Sequence, residues 1–161
     1  MTTMTAVLYL VRHAKAGTRR DWFGDDRLRP LTKSGLAQAE AIADRLEPLA
    51  PALLVSSPYR RCVQTLEPLA ARTGLPIEIE LAWSEGAEFE SALGHLTTLR
   101  DRTVMSSHGD VIPELISALE RRGMVIKGEP SWRKGAIWVI HREVDGREDG
   151  FSSAEAWPPP V

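Results

Sequence analysis

The chain has 161 residues, is 43% hydrophobic and 26% charged, and carries a formal net charge of -2. That length predicts one domain over residues 1–161, able to bury about 70% of its unfolded surface, and the balanced charge, with a pI near 6.1, argues against bulk binding to a nucleic-acid polymer or a membrane surface. One cysteine, Cys62, excludes an internal disulfide and, with four histidines, leaves little for a structural zinc site; no stretch approaches the roughly 20 apolar residues of a membrane helix, Met1 to Thr5 carry no basic or apolar leader, and the expected compartment is the reducing cytoplasm.

Residues 6–12 form the first predicted strand. Its apolar run ends abruptly in Arg12-His13, followed by Ala14, Lys15, Ala16 and Gly17. Arginine and histidine are costly to bury, and ligands of open α/β sheets collect at the carboxyl ends of the strands. This stretch therefore proposes an anion site containing a histidine. Residues 14–31 lack sustained periodicity and read as a long loop over the strand edge. Trp22 and Phe23 read as a small satellite cluster there, and Arg19, Arg20, Arg27 and Arg29 as solvated surface, opposed by Asp21, Asp25 and Asp26.

A helix is expected over about 33–47, with Thr32 as N-cap and Leu36, Ala39, Ala43 and Leu46 as its buried stripe. Pro48 and Pro51 end it, and residues 52–55 form a short strand. Ser57 and Pro58 then read as N-cap and first residue of a second helix. Arg60 and Arg61 fall in its first turn and point in different directions, so at most one faces the anion site squarely. Pro68 is expected to kink or interrupt this helix, and Gly74 and Pro76 to stop it.

Residues 77–81 read as a third strand, followed by a loop holding Glu85 and Glu88. Phe89, Leu93, Leu96 and Leu99 recur at helical spacing, with His95 as a surface residue of that helix. Residues 103–107 are a fourth strand, which ends in His108-Gly109-Asp110. A helix with Leu115, Ile116 and Leu119 on one face follows at once, so a second histidine lies where backbone N–H groups attract anions; Asp110 has a competing reading as its cap. Residues 124–135 read as an irregular connection, residues 136–141 as a last strand with His141 ending it in solvent, and the chain beyond Val144 as a mobile or loosely docked tail.

The βαβα order predicts an α/β fold: a three-layer α/β/α sandwich around a mostly parallel sheet. Three strand ends then bring Arg12, His13, Arg61 and His108 to one edge. Two imidazoles and two guanidinium groups suit a tetrahedral dianion, because the arginine fork matches phosphate oxygens. A neutral imidazole is also a nucleophile toward phosphorus.

These residues carry a family resemblance. The strand end Leu10-Val11-Arg12-His13-Ala14, the segment from Ser57 to Thr65 and the strand end Ser107-His108-Gly109-Asp110 together resemble the histidine phosphatase superfamily, which includes phosphoglycerate mutases and phosphohistidine phosphatases. Pro30, Leu31 and Thr32 with Gly35, Gln38 and Ala39, and Gly135-Ala136 near the last strand, are similar too. Ala14 departs from the glycine of many members.

The resemblance implies a phosphoglycerate mutase-like fold and a metal-independent phosphatase with no cofactor. In it His13 is the nucleophile that becomes phosphorylated, His108 stabilises the transferring group, and Arg12 and Arg61 bind phosphate, with Lys15 and Gly109 beside them. Glu85 is the candidate general acid, with Glu88 and Asp110 as alternatives. The expected partner is a small phosphorylated substrate or a phosphohistidine protein. A mutase or a phosphate-binding module without activity are the remaining readings.

Overall fold

A computed structural model describes residues 4–144 and 150–160. The elements are β1 (Met4–Arg12), α1 (Lys33–Leu46), β2 (Leu53–Ser56), α2 (Arg60–Thr73), β3 (Ile77–Ile79), α3 (Phe89–Leu96), β4 (Thr103–Ser107), α4 (Val111–Arg121), β5 (Val125–Lys127), β6 (Ile137–Val144) and β7 (Phe151–Trp157). Among the described residues they build a seven-stranded sheet in the order β3-β2-β4-β1-β6-β7-β5. β3, β2, β4 and β1 are mutually parallel, and β6 alone runs against its neighbours.

Alternation along β1 sorts the core. Leu8 and Leu10 pack with α3 and α4 on one face, in a cluster with Trp83, Leu93, Leu96, Met105, Leu115, Ile116, Leu119 and Trp138. Tyr9 and Val11 pack with α1 and α2 on the other, beside Ile42, Leu46, Leu66 and Leu69. A sheet buried on both faces is what a parallel arrangement requires, and the three layers match the expected α/β/α sandwich.

Local chemistry explains the boundaries. Thr32 caps α1 by accepting from the Gly35 N–H at 3.0 Å. Gly74 ends α2 in the left-handed region at φ 76°. α2 runs through Pro68 without a break. Leu36 is an exception to the expected stripe: it is exposed, and Gly35 and Ile42 take the buried positions of α1. Gly35 lies so close to the Lys15 carbonyl that a Cβ there would stand 1.9 Å from it.

Several other expectations are corrected. Ser57 and Pro58 precede the helix rather than start it, since α2 begins at Arg60 with Tyr59 at the N-cap. Asp110 precedes α4 but makes no side-chain cap; its Oδ2 accepts from Gly86 N instead. The third strand ends at Ile79, and Leu81–Trp83 is a 3-10 turn. Residues 124–135 contain β5, and the chain beyond Val144 contains β7, both in the main sheet. β6 is consequently interior, so His141, though exposed, ends no edge strand. His95 is half-buried, accepting from the Trp83 indole N–H at 2.9 Å. Residues 1–3, where no leader was expected, and the parts of the expected tail at 145–149 and 161 lie outside the described residues.

Candidate active site

The carboxyl ends of β1, β4 and β2 lie side by side, with Arg12 paired to Ser107 and Ser56 to Ser106. Backbone bonds hold the site's floor: His13 N–H donates to Ser107 O at 3.0 Å, Arg12 N–H to Ala136 O, and Gly135 N–H to Arg12 O. Thr65 ties α2 to β1, accepting from the Ala14 N–H at 2.9 Å and donating to Arg61 O at 2.7 Å.

His13 is buried, and its Nδ1 lies 2.8 Å from Ala14 O. A carbonyl only accepts, so Nδ1 carries the hydrogen and Nε2 the lone pair. Burial is the largest effect on the ring. The bond to Ala14 opposes it, while the charges of Arg61, Arg12 and Lys134 add to it, and the pKa falls to about 3. His108 stands against it, with ring centroids 5.6 Å apart and planes at 66°. Burial, then His13 and Arg61, push its pKa down to about 2. Both rings are therefore neutral at pH 7. His108 Nε2 is 2.8 Å from Ser57 Oγ and 3.4 Å from Cys62 Sγ. The Tyr59 ring packs edge-on at 4.7 Å. Burial pushes the Cys62 thiol up to about 12, so it stays protonated.

Arg61 is fully buried, while Arg60 is exposed. The Arg61 guanidinium donates to Asp26 O at 2.8 Å and to Asp26 Oδ2 at 3.1 Å, lies 3.3 Å from Glu85 Oε1, and sits over the Tyr59 ring. Asp26 belongs to a short 3-10 turn, Asp26–Leu28, in the loop between β1 and α1. Burial works against its carboxylate, but Arg29 and Arg61 outweigh that and hold its pKa below the ordinary value. Arg12 donates to Trp132 O at 2.5 Å and lies over Gly109, where a Cβ would meet its guanidinium carbon at 2.6 Å. The Nε atoms of Arg12 and Arg61 are buried without an acceptor among the described residues.

The family model described as histidine phosphatase superfamily (branch 1) matches residues 8–91. The chain belongs to that superfamily. An 8-oxo-(d)GTP phosphatase of Mycolicibacterium smegmatis is 37% identical over 142 residues, covering 84% of this chain. The chain spans only 44% of that relative's length. Among solved structures, the protein histidine phosphatase SixA complexed with tungstate has a TM-score of 0.67 at 23% identity, covering 83% of this chain and 86% of that one. A mycobacterial glucosyl-3-phosphoglycerate phosphatase has a TM-score of 0.69 at 17% identity, covering 95% and 97%. These two share the fold.

Within this histidine phosphatase fold, Arg12, His13, Arg61, His108 and Gly109 form one cluster, and Glu85 reaches it through Arg61. Glu88 is exposed, and its carboxylate makes no hydrogen bond or ion pair among the described residues. Asp110 is exposed and bonded to Gly86. Lys15 is exposed and lines a neighbouring cavity instead.

Sequence reasoning missed four participants. Arg29, read as solvated, is buried, with Nε bonded to Asp26 Oδ1 at 2.8 Å. Arg19 is likewise no idle surface charge, since it pairs with Glu85. Asp26 and Lys134 carry no motif; only the folding of two distant loops brings them to the strand ends. Among the described residues no three His, Cys, Asp or Glu side chains form a metal-ligand group. No helix among them is long and apolar enough to cross a membrane.

Proposed function

We propose that this protein is a metal-independent phosphatase that hydrolyses a small phosphorylated substrate through a phosphohistidine on His13. The observation that carries this reading is the meeting of two neutral histidine rings, 5.6 Å apart, beside the guanidinium groups of half-buried Arg12 and buried Arg61. Phosphoryl transfer spreads charge over three equatorial oxygens and needs mainly positioning and cations, which Arg12 and Arg61 provide.

In the first step the His13 Nε2 lone pair attacks phosphorus, the P–O bond to the leaving group breaks, and its electron pair stays on the departing oxygen. For Glu85 to give that oxygen a proton it first takes one up from solvent, exchanging it for the ion pairs its Oε1 makes with Arg61 and Arg19. Water then attacks phosphorus, the P–N bond breaks and returns its pair to Nε2, and Glu85 takes the water's proton. Inorganic phosphate leaves. We assign His108 the role of donor to an equatorial oxygen, its ring being held by Ser57 Oγ and the Tyr59 ring. Gly109 keeps the Arg12 guanidinium close to the site because it has no Cβ to displace it.

A small molecule is favoured over a phosphohistidine protein by the 37% identity to a phosphatase named for a nucleotide. We place the chain, as one domain over residues 1–161, in the cytoplasm, in keeping with its single buried free thiol. The deciding experiment is turnover of an aryl phosphate by the native protein and by His13→Ala. The variant is expected to lose about three orders of magnitude or more, and a base-quenched native reaction to contain phosphohistidine. Unchanged turnover by His13→Ala would remove the mechanism. Hydrolysis confined to phosphoramidates would favour the protein-phosphohistidine reading instead.

A further inference from the structure

Beside the site lies a hollow of about 490 Å³ lined by Lys15, Gln38, Arg133, Lys134, Pro159 and Pro160. Its volume falls in the range of small-molecule pockets. Three of its six lining residues are cations and none is acidic. Three other arginines near the strand ends have counter-charges: Arg61 pairs with Asp26 and Glu85, Arg29 with Asp26, and Arg19 with Glu85, while Arg12 has no ion pair among the described residues. Among the described residues no ion pair reaches Lys15, Arg133 or Lys134.

The hollow is built from fixed parts. Gln38, on α1, accepts from the Lys15 N–H at 3.0 Å and donates to Lys134 O at 2.9 Å, so one side chain joins the two loops that carry the cations. The wall of Pro159 and Pro160 is anchored where Arg45 donates to Pro158 O at 2.7 Å. Lys134 precedes Gly135, whose N–H bonds to Arg12 O, so this cation is only one residue from the floor of the phosphoryl site. Electrostatics agrees with that closeness. Burial and the charges of Arg12, Arg29, Lys15 and Arg61 all lower the Lys134 pKa, and Lys134 in turn acts on His13. Clustered like charges repel, and an anion binding among them relieves that repulsion.

We propose that this hollow is a subsite for a second phosphate group of the substrate, held by Lys134, Arg133 and Lys15 while the transferring phosphoryl group lies at His13. The proposal rests on the hydrolase reading and narrows it to small molecules that carry at least two phosphates. The hollow is open to solvent, with Pro159 and Pro160 forming one side.

The test is calorimetric binding to the native protein of methylphosphonate against alkylene bisphosphonates with one to four carbons between phosphorus atoms. None of these turns over. At least one bisphosphonate is expected to bind about tenfold tighter or more than methylphosphonate, the scale of one or two charge-assisted hydrogen bonds. In the Arg133→Gln/Lys134→Gln protein the ratio is expected to fall to about twofold or less. Both residues are exposed, so folding is expected to survive, and circular dichroism checks it.

Equal affinities for both ligand types in the native protein would overturn the proposal. So would a variant that weakens methylphosphonate and bisphosphonate by the same factor, which would reduce the cations to a general field. A preference for an acidic phosphopeptide over every bisphosphonate would overturn it as well. Because no turnover is involved, a protein with the bisphosphonate preference but no esterase activity would keep the subsite and lose the hydrolase reading.

Discussion

The two buried rings make stability depend on pH in a definite direction. His13 is 6% and His108 1% exposed, with pKa values of about 3 and about 2 against about 6.5 for a free histidine. Below pH 6.5 the unfolded chain binds two protons that the native state refuses. Stability is therefore complete above about pH 6.5 and falls as pH is lowered, by up to about 1.4 kcal/mol per pH unit for each ring. At pH 5.5 the pair together costs about 3 kcal/mol, a large part of a typical stability of about 5–15 kcal/mol. Asp25 and Asp26, with lowered pKa values, contribute stability that is lost only at more acid pH, as pH falls through their carboxylate range. Urea unfolding at pH 7.5, 6.5 and 5.5 in phosphate-free buffer reads the effect as a shift of midpoint at constant m. His13→Gln and His108→Gln are each expected to remove about half of the fall. Constant stability from pH 7.5 to 5.5, or an undiminished fall in the double variant, would refute the reasoning.

Other expectations are more local. Gly109→Ala places a Cβ 2.6 Å from the Arg12 guanidinium carbon, so it is expected to lower kcat/KM for an aryl phosphate by about tenfold, the scale of one charged hydrogen bond, with little change in Tm. Alanine at Gly35 meets the Lys15 carbonyl at 1.9 Å and is expected to destabilise by about 1–3 kcal/mol. The same change at Gly94, in α3 with open space around it, is expected to stabilise by up to about 1 kcal/mol; equal effects in thermal melts would show that the close approach is immaterial. Glu85→Gln is expected to slow alkyl phosphates more than phosphoramidates, because an alkoxide leaves poorly without a proton. Equal slowing of both would take the acid role from Glu85.

The parts of the site that repeat along a strand or follow its end were legible in the sequence. Arg12-His13 and His108-Gly109 each terminate an apolar run, and the rule that parallel strands present their carboxyl ends at one edge brings them together without coordinates. Adjacent helical residues point apart, so at most one of Arg60 and Arg61 was expected to face the site; the family resemblance picked Arg61, although the start of α2 was placed too early. A Ser-Pro pair satisfies the local chemistry of an N-cap, but here the Ser57 hydroxyl is taken by His108, a partner 51 residues away.

Local patterning, with a period of two in strands and 3.6 in helices, thus determined by itself the order of elements from β1 to α4, the layered α/β architecture and three of the site's groups, Arg12, His13 and His108. What only the tertiary structure decided is how irregular segments fold back. The loop with Asp26 and Arg29 covers Arg61, the loop with Arg133 and Lys134 closes beside Arg12, and β7 joins the sheet from a polar tail. Those segments have no periodicity because each residue in them answers to a different distant neighbour, and such pairings are stabilised only after the sheet has brought the loops together.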